Sequence, residues 1–121
     1  MIQYCSLSYQ DIYSKIWHET RAGTYCSYIR GKRCQSDETF FHEISASFQF
    51  PEYFGENWNA LHDCLCDLEW LCFNKIFITF DNFKLAYQND PEGQRLLLSA
   101  MNIMVKEWNR KGIVVEIWLN N

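Results

Sequence analysis

The residues best suited to chemistry lie between Pro51 and Cys66. His62 stands next to Asp63, and Cys66 follows four positions after His62, so this stretch holds a candidate base and a candidate nucleophile. Neighbouring helix positions point about 100° apart, so His62 and Asp63 would not align as an acid–base pair. No serine-hydrolase, phosphate-loop, dinucleotide-binding or zinc-protease motif occurs. We therefore predict no catalytic residues, and an enzyme that uses His62 with Cys66 or Asp63 is the weaker alternative.

The spacing within this stretch predicts a loop followed by a short amphipathic helix. Pro51 and Gly55 are typical of the loop. One side of the helix is apolar and consists of Ala60, Leu61, Cys64 and Leu65, with Asn57 beside it and Trp58 at its edge. The opposite side is polar and consists of Asn59, His62, Asp63 and Cys66. The apolar side anchors the helix in this interpretation, and the polar side is either an ordinary solvated face or a contact surface.

Charge favours the contact surface. The formal net charge is −4, yet all 11 lysines and arginines lie outside the segment from Cys34 to Asn74. That segment contains Asp37, Glu38, Glu43, Glu52, Glu56, Asp63, Asp67 and Glu69. An acidic surface attracts cationic partners and repels the phosphates of nucleic acid. We therefore predict a basic protein as partner and no direct contact with nucleic acid.

The composition predicts one folded domain without a cofactor. The chain has 121 residues, of which 48% are hydrophobic, and this is sufficient for a single core. It shows neither a secretory leader nor an apolar run long enough to span a membrane, which predicts a soluble cytoplasmic protein. The 6 cysteines lack the spacing of a zinc site, and in a reducing compartment they would remain free thiols, so we expect no metal and no disulfide.

Hydrophobic periodicity and capping residues predict the order of the elements. Helices are expected after Ser8, after Ser36 with Phe40, Phe41, Ile44 and Phe48 facing the core, and after Asp90 with an apolar stripe from Leu97 to Trp108. Strands are expected at 25–29, 75–80 and 113–119. Because helices connect successive strands, the strands should pair in parallel. The predicted fold class is therefore α/β, with a small three-stranded parallel sheet flanked by helices.

The segment PEYFGENWNALHDCL, from Pro51 to Leu65, resembles the barstar family of intracellular ribonuclease inhibitors. The resemblance extends from Tyr25 to the end of the chain, and DLEWL, from Asp67 to Leu71, is also similar to many members. It implies a barstar-like domain at 25–121. Residues 1–24 are then an N-terminal extension, expected to form a short helix packed on the body. The fold implied by the family, a three-stranded parallel sheet with flanking helices, agrees with the predicted order of elements.

The resemblance also implies a mechanism. Barstar inserts one helix and the preceding loop into the basic cleft of its ribonuclease, barnase, where carboxylates take the place of RNA phosphate. Asp63 matches the central aspartate, Tyr53 the tyrosine that covers the catalytic histidine, Gly55 and Asn57 two loop contacts, and Glu107 an outlying acidic contact. The other candidate partner-binding residues are Trp58, Asn59, His62, Cys66 and Asp67. The implied activity is that of an immunity protein that inhibits a small basic ribonuclease and is a monomer when free.

Two positions depart from the family pattern. Asn59 stands where barstar has a second aspartate, and His62 stands where it has a tryptophan. The first change removes a charge and the second removes an aromatic anchor, although Trp58, in place of a leucine, restores aromatic area. Barnase itself is therefore expected to be a poor target. The alternative within the same class is a barstar-like module that binds a partner other than a nuclease.

Overall fold

Four strands and four helices form the fold, and the computed structural model describes all residues from 1 to 121. The strands are β1 (Ile2–Cys5), β2 (Thr24–Arg30), β3 (Lys75–Asp81) and β4 (Val115–Asn120). The helices are α1 (Tyr9–Arg21), α2 (Asp37–Phe48), α3 (Trp58–Asp67) and α4 (Pro91–Arg110), and short 3-10 turns occupy Gly31–Arg33 and Phe83–Leu85. None of the helices combines the length and the hydrophobicity needed to cross a membrane.

The helices begin where the capping residues predict. The side chains of Ser8, Ser36 and Asp90 each accept a hydrogen bond from the backbone nitrogen three residues further along. These bonds satisfy nitrogens that have no partner within the first turn of a helix. Pro91 follows Asp90 as the first residue of α4, where the missing N–H of proline costs nothing. Local chemistry thus sets the starts of α1, α2 and α4.

The sheet is parallel, as predicted, but it has four strands in the order β1-β4-β3-β2. The prediction of three strands missed β1, which lies at the edge beside β4 with Ile2 opposite Ile117. β1 has only 4 residues and no clear alternation of apolar and polar side chains. Its partner is more than a hundred positions away, so no local pattern marks it as a strand.

The main core lies between one face of the sheet and helices α2, α3 and α4. Alternate residues of β3, Ile76, Ile78 and Phe80, point into this core, as successive side chains of a strand face opposite ways. All four residues predicted to face the core from α2 are buried. The predicted stripe of α4 is buried as well, at Leu97, Ala100, Met101, Met104 and Trp108. The hydrophobic periodicity therefore identified the faces of both helices correctly.

Helix α1 covers the other face of the sheet. Ile12 is 1% exposed, and the ammonium group of Lys15 lies over the rings of Phe77 and Trp118. Beside them, Lys75 Nζ lies 2.9 Å from a carboxylate oxygen of Glu19 and 2.9 Å from one of Glu116. Residues 1–24 thus supply both an edge strand and the helical layer behind the sheet.

Candidate protein-binding surface

The positions of the polar side chains between residues 51 and 67 are set by the way in which helix α3 begins. Asn57 Oδ1 accepts a hydrogen bond from the backbone nitrogen of Ala60 at 2.8 Å, so Asn57 caps the helix. Its amide nitrogen donates to the carbonyl oxygen of Gly55 at 3.2 Å. Gly55 and Asn57, both predicted as partner contacts, are exposed and at the same time fix the direction in which the loop enters α3.

The apolar side of α3 is anchored in the core. Leu61, Cys64 and Leu65 are buried, as the sequence predicted. Helix α4 and the residue that follows it hold the end of α3 through two hydrogen bonds, from Trp108 Nε1 to the carbonyl oxygen of Leu65 at 2.7 Å and from Lys111 Nζ to that of Cys66 at 2.8 Å. A cation at this end also interacts favourably with the helix dipole. The helix is therefore a rigid platform for its opposite side.

The outward side of α3 carries the polar residues expected there. Asn59, Asp63 and Asp67 are exposed, whereas His62 and Cys66 are half-buried. The Nδ1 atom of His62 is buried and has no hydrogen-bond partner in the chain. We call this side of α3, together with residues 51–57, the acidic surface.

Tyr53 lies beside this helix. Its side chain is 70% exposed. Its pKa is raised above the ordinary value, first by partial desolvation and then by the negative charges of Asp67 and Glu69. The phenol is therefore close to the carboxylates that follow it in sequence, and the loop and the helix form one continuous surface.

Trp58 is bound more tightly into the protein than the sequence indicates. Its ring packs on Phe40 and Phe41, with centroids 5.7 Å and 5.2 Å away, and its Nε1 donates to Asp37 Oδ2 at 3.3 Å. The side chain is half-buried. The ring of Trp58 was expected to replace the aromatic area that is lost at His62. Much of this ring instead packs within the chain, where a partner cannot contact it.

Asp37 is a positioning residue that the sequence analysis missed. Besides the bond from Trp58, its Oδ1 accepts a hydrogen bond from Tyr87 Oη at 2.8 Å, so one carboxylate links α2, α3 and the segment before α4. In the sequence Asp37 was only one of the acidic residues of the segment from Cys34 to Asn74. Its partners lie 21 and 50 positions away, and only the folded chain brings the three together.

Within the segment from Cys34 to Asn74, Glu43 pairs with an arginine from outside it and Glu56 lies beside a histidine, whereas Glu107 on α4 has an arginine of its own. Arg30 Nε lies 2.9 Å from Glu43, and Arg110 lies 2.9 Å from Glu107. Glu56 pairs with Nε2 of His42 at 2.8 Å. Of the eight carboxylates between Cys34 and Asn74, Glu43 is therefore the one with a lysine or arginine partner, so most of the expected acidic charge is not compensated by these residue types. The carboxylates with no lysine or arginine within 4.0 Å include Glu38, Glu52, Asp63, Asp67 and Glu69.

Cys66, near the end of α3, lies within electrostatic reach of Glu107 on α4. Burial raises the pKa of the Cys66 thiol, and the nearby Glu107 carboxylate raises it further. The pKa of Glu107 is lowered by its hydrogen bond from Arg110. Cys66 is therefore held as a neutral thiol, whereas Glu107 is a charged group that already has a cationic partner.

The surface does not contain a metal centre. No group of three or more histidine, cysteine, aspartate or glutamate side chains is arranged to hold an ion. The six cysteines are free thiols spread through the fold, and only Cys72 is exposed. The chemistry available at the acidic surface is thus that of charge, hydrogen bonding and aromatic contact.

An anchored helix and a loop that together present carboxylates, with no metal centre among them, are features of a protein-binding surface. The family model described as barstar, the barnase inhibitor, matches residues 24–120. The chain belongs to the barstar family, which confirms the resemblance seen in the sequence. A search of curated proteins returned no match. The matched range begins at β2, so β1 and α1 both lie outside it.

Proposed function

We propose that this chain is an immunity protein that inhibits a small basic ribonuclease by placing the acidic surface in the catalytic cleft. The observation that carries this proposal is the environment of Asp63. It is exposed on the outward side of an anchored helix, and no lysine or arginine of its own chain lies within 4.0 Å. A carboxylate held in this way is available to cations of a partner.

The physical basis is substitution for the RNA backbone. A ribonuclease cleft binds phosphate through arginine and lysine side chains, and a carboxylate can accept the same charge-assisted hydrogen bonds. Because α3 is fixed by its buried side and by α4, little conformational entropy is lost when it docks. In this proposal Asp63 occupies the centre, Tyr53 and Asp67 lie beside it, and Glu107 contacts the margin. The protein acts in the cytoplasm, where it protects cellular RNA.

Asn59 and His62 favour a ribonuclease other than barnase. Asn59 is exposed but uncharged, and His62 is half-buried with its Nδ1 unpartnered. The ring of Trp58 is packed on the core and cannot replace a projecting aromatic anchor in full. We infer a target whose cleft requires fewer carboxylates and a smaller group at the position of His62. Asn59 and His62 are also the residues that would favour the alternative, a partner that is not a nuclease.

The alternative of an enzyme has less support. A cysteine nucleophile needs a thiolate, which a lowered pKa provides, whereas the pKa of Cys66 is raised by burial. The inhibitors that give the family its description act by binding rather than by catalysis. We therefore propose that the chain itself catalyses no reaction.

The proposal is tested by RNA-cleavage assays with barnase and a panel of other small basic ribonucleases, each mixed with the purified chain. We expect inhibition of at least one enzyme to be complete at a 1:1 ratio, and Asp63→Lys to abolish it. Asp11→Lys is the matched control, because Asp11 is an exposed aspartate on α1, behind the sheet. Failure to inhibit any of the enzymes at a tenfold excess, or equal loss of inhibition in both variants, would contradict the proposal.

A further inference from the structure

Helix α1 carries a row of exposed rings that the acidic surface does not use. Tyr9, Tyr13 and Trp17 are 64%, 58% and 51% exposed, although each is large enough to fill a core position. They follow one another at intervals of four residues, which places them along one side of the helix. The rings of Tyr9 and Tyr13 are 6.0 Å apart, and the guanidinium of Arg21 lies 4.5 Å from the ring of Trp17. We call these three rings the α1 ridge.

The fold does not need the ridge to hold α1 in place. The helix is attached to the sheet by a different side, through Ile12, which is buried, and through the ion pairs of Lys15 and Glu19. The ridge lies next to that side. Tyr9 contacts the ring of Tyr28 on β2, with centroids 6.5 Å apart, yet all three rings of the ridge remain more than half exposed. Packing within the single chain therefore leaves this area uncovered.

The surface beside the ridge is grooved. A hollow of about 420 Å³ is lined by the ridge together with Gln10 and Ser14. A second hollow, of about 240 Å³, lies next to Tyr13 and Trp17 and reaches Arg21. Side chains four residues apart form a ridge on a helix, and such a ridge packs into the groove of another helix of the same shape.

The exposed area suits an interface of ordinary size. An aromatic side chain presents about 150–250 Å², so three rings exposed by half or more offer roughly 300–450 Å² of mainly apolar surface. A standard interface covers about 800 Å² per partner, of which a little over half is apolar. The ridge supplies most of that apolar share, and the polar residues beside it supply a rim.

We propose that the α1 ridge is a homodimer interface in which two copies of α1 pack ridge into groove. The charges favour a second copy as the occupant. No carboxylate lies on the ridge, since Asp11 projects from another side of α1 and Glu19 is bound to Lys75. The acidic surface is on α3, across the sheet, so association through α1 keeps the two acidic surfaces apart and leaves both free.

The spacing of the rings is also self-complementary. Tyr13 is the middle ring, with Tyr9 four residues before it and Trp17 four residues after it. A two-fold axis beside Tyr13 therefore seats the ridge of each copy in the groove of the other, with Tyr9 of each copy next to Trp17 of the other, which is the isologous arrangement of most homodimers. This dimer replaces the free monomer expected from the sequence. It does not depend on the proposed inhibition, because the two surfaces are separate.

Sedimentation equilibrium of the full chain provides the test. The mass should rise from 14.5 kDa towards twice that value as the concentration increases, and the rise should be evident by about 100 µM if the Kd is micromolar. Tyr13→Lys places two cations face to face at the two-fold axis, and Trp17→Ser removes one ring from each end. We expect each substitution to weaken association at least tenfold. Tyr53→Lys is the matched control, since it changes another ring that is more than half exposed and lies away from α1, and it should leave the Kd unchanged.

The circular dichroism of the three variants should match that of the wild type, because the substituted side chains are more than half exposed. A wild-type chain whose mass remains 14.5 kDa at every protein concentration would overturn the proposal. The same holds if the chain stays monomeric and another protein or a lipid vesicle binds the ridge instead. A dimer that Tyr13→Lys and Trp17→Ser leave equally stable would also overturn it.

Discussion

At the scale of single residues, Asp63 combines accessibility with a fixed position. It is exposed, yet the helix that carries it is held by three buried side chains. We expect Asp63→Ala to weaken binding to the target ribonuclease by roughly thirtyfold or more, because truncation at the centre of an interface leaves partner cations unpaired. Isothermal titration calorimetry measures the change. The thermal midpoint of unfolding should be unaffected. A variant with a lowered midpoint and unchanged affinity would contradict both the expected loss of binding and the expected stability.

The two departures from the family pattern provide a second prediction at this scale. Replacing Asn59 with Asp and His62 with Trp together should strengthen binding to barnase at least tenfold, since one change adds a carboxylate and the other an aromatic anchor. Surface plasmon resonance with immobilised barnase compares the double variant with the wild type. Gln3→Asp, on exposed β1, adds the same charge away from α3 and should have no effect. Equal affinity of the double variant and the wild type would mean that other residues determine the choice of target.

At the scale of elements, the ion pairs under α1 make its attachment sensitive to pH. Burial disfavours the charge of Glu19, but hydrogen bonds from Lys15, Lys75 and Thr24 outweigh it and hold the pKa at about 2. The pKa of Glu116 is also lowered, because the hydrogen bond from Lys75 and the charge of Lys15 outweigh its burial. Carboxylates with a lower pKa in the folded chain than in the unfolded chain stabilise the fold above the unfolded value, and the stabilisation is lost as the pH falls towards the folded value.

We therefore expect the thermal midpoint to fall steadily between pH 5 and pH 2, in the window that the pKa of Glu19 defines. Glu19→Gln should lower the midpoint at pH 7 by about 3–6 °C and make the fall with acid shallower. Differential scanning calorimetry across this range measures both effects. Glu92→Gln is the control, since Glu92 and Arg95 form an exposed pair that contributes little to stability. An identical pH profile for wild type and Glu19→Gln would show that α1 is held by apolar contacts alone.

The elements also show what the sequence could predict. Helices α2 and α4 were predicted correctly, because cap, periodicity and buried stripe are all local, and the two sides of α3 followed from the same spacing. Strand β1 was missed because its identity depends on pairing with β4 at the far end of the chain. The fixation of Trp58 by Asp37, and of Cys66 by Lys111, could not be predicted for the same reason. Contacts between distant residues have no signature in either partner alone.

At the scale of the whole molecule, the charge distribution predicts a salt-dependent association rate. The segment from Cys34 to Asn74 suggested an acidic field without compensation, and in the folded chain Arg30 compensates one of its carboxylates, that of Glu43. The remaining carboxylates should still steer a basic ribonuclease. Stopped-flow association should therefore slow markedly between about 0.01 M and 0.5 M salt, as the screening length falls from about 30 Å to less than 8 Å. Dissociation should change much less, because it depends on short-range contacts.

The double substitution of Glu52 and Glu69 by Gln separates steering from contact. It removes two unpaired charges and should lower the association rate at low salt, with little effect on dissociation. At 0.5 M salt the variant and the wild type should associate at similar rates. A rate that is indifferent to salt in both proteins would mean that the field does not guide the encounter.

The pairing of β1 with β4 determines how the molecule would respond to force. The two strands are adjacent and parallel, and backbone bonds join them from Met1, which accepts from Ile117 at 2.8 Å, to Cys5, which accepts from Asn121 at 2.9 Å. Tension applied between residues 1 and 121 pulls these strands along their length in opposite directions. All the bonds of the pair then bear the load together and must break together, rather than opening one at a time. The chain should thus be mechanically resistant along this axis, and optical tweezers attached at the two positions would measure a higher rupture force than the same handles placed across α3.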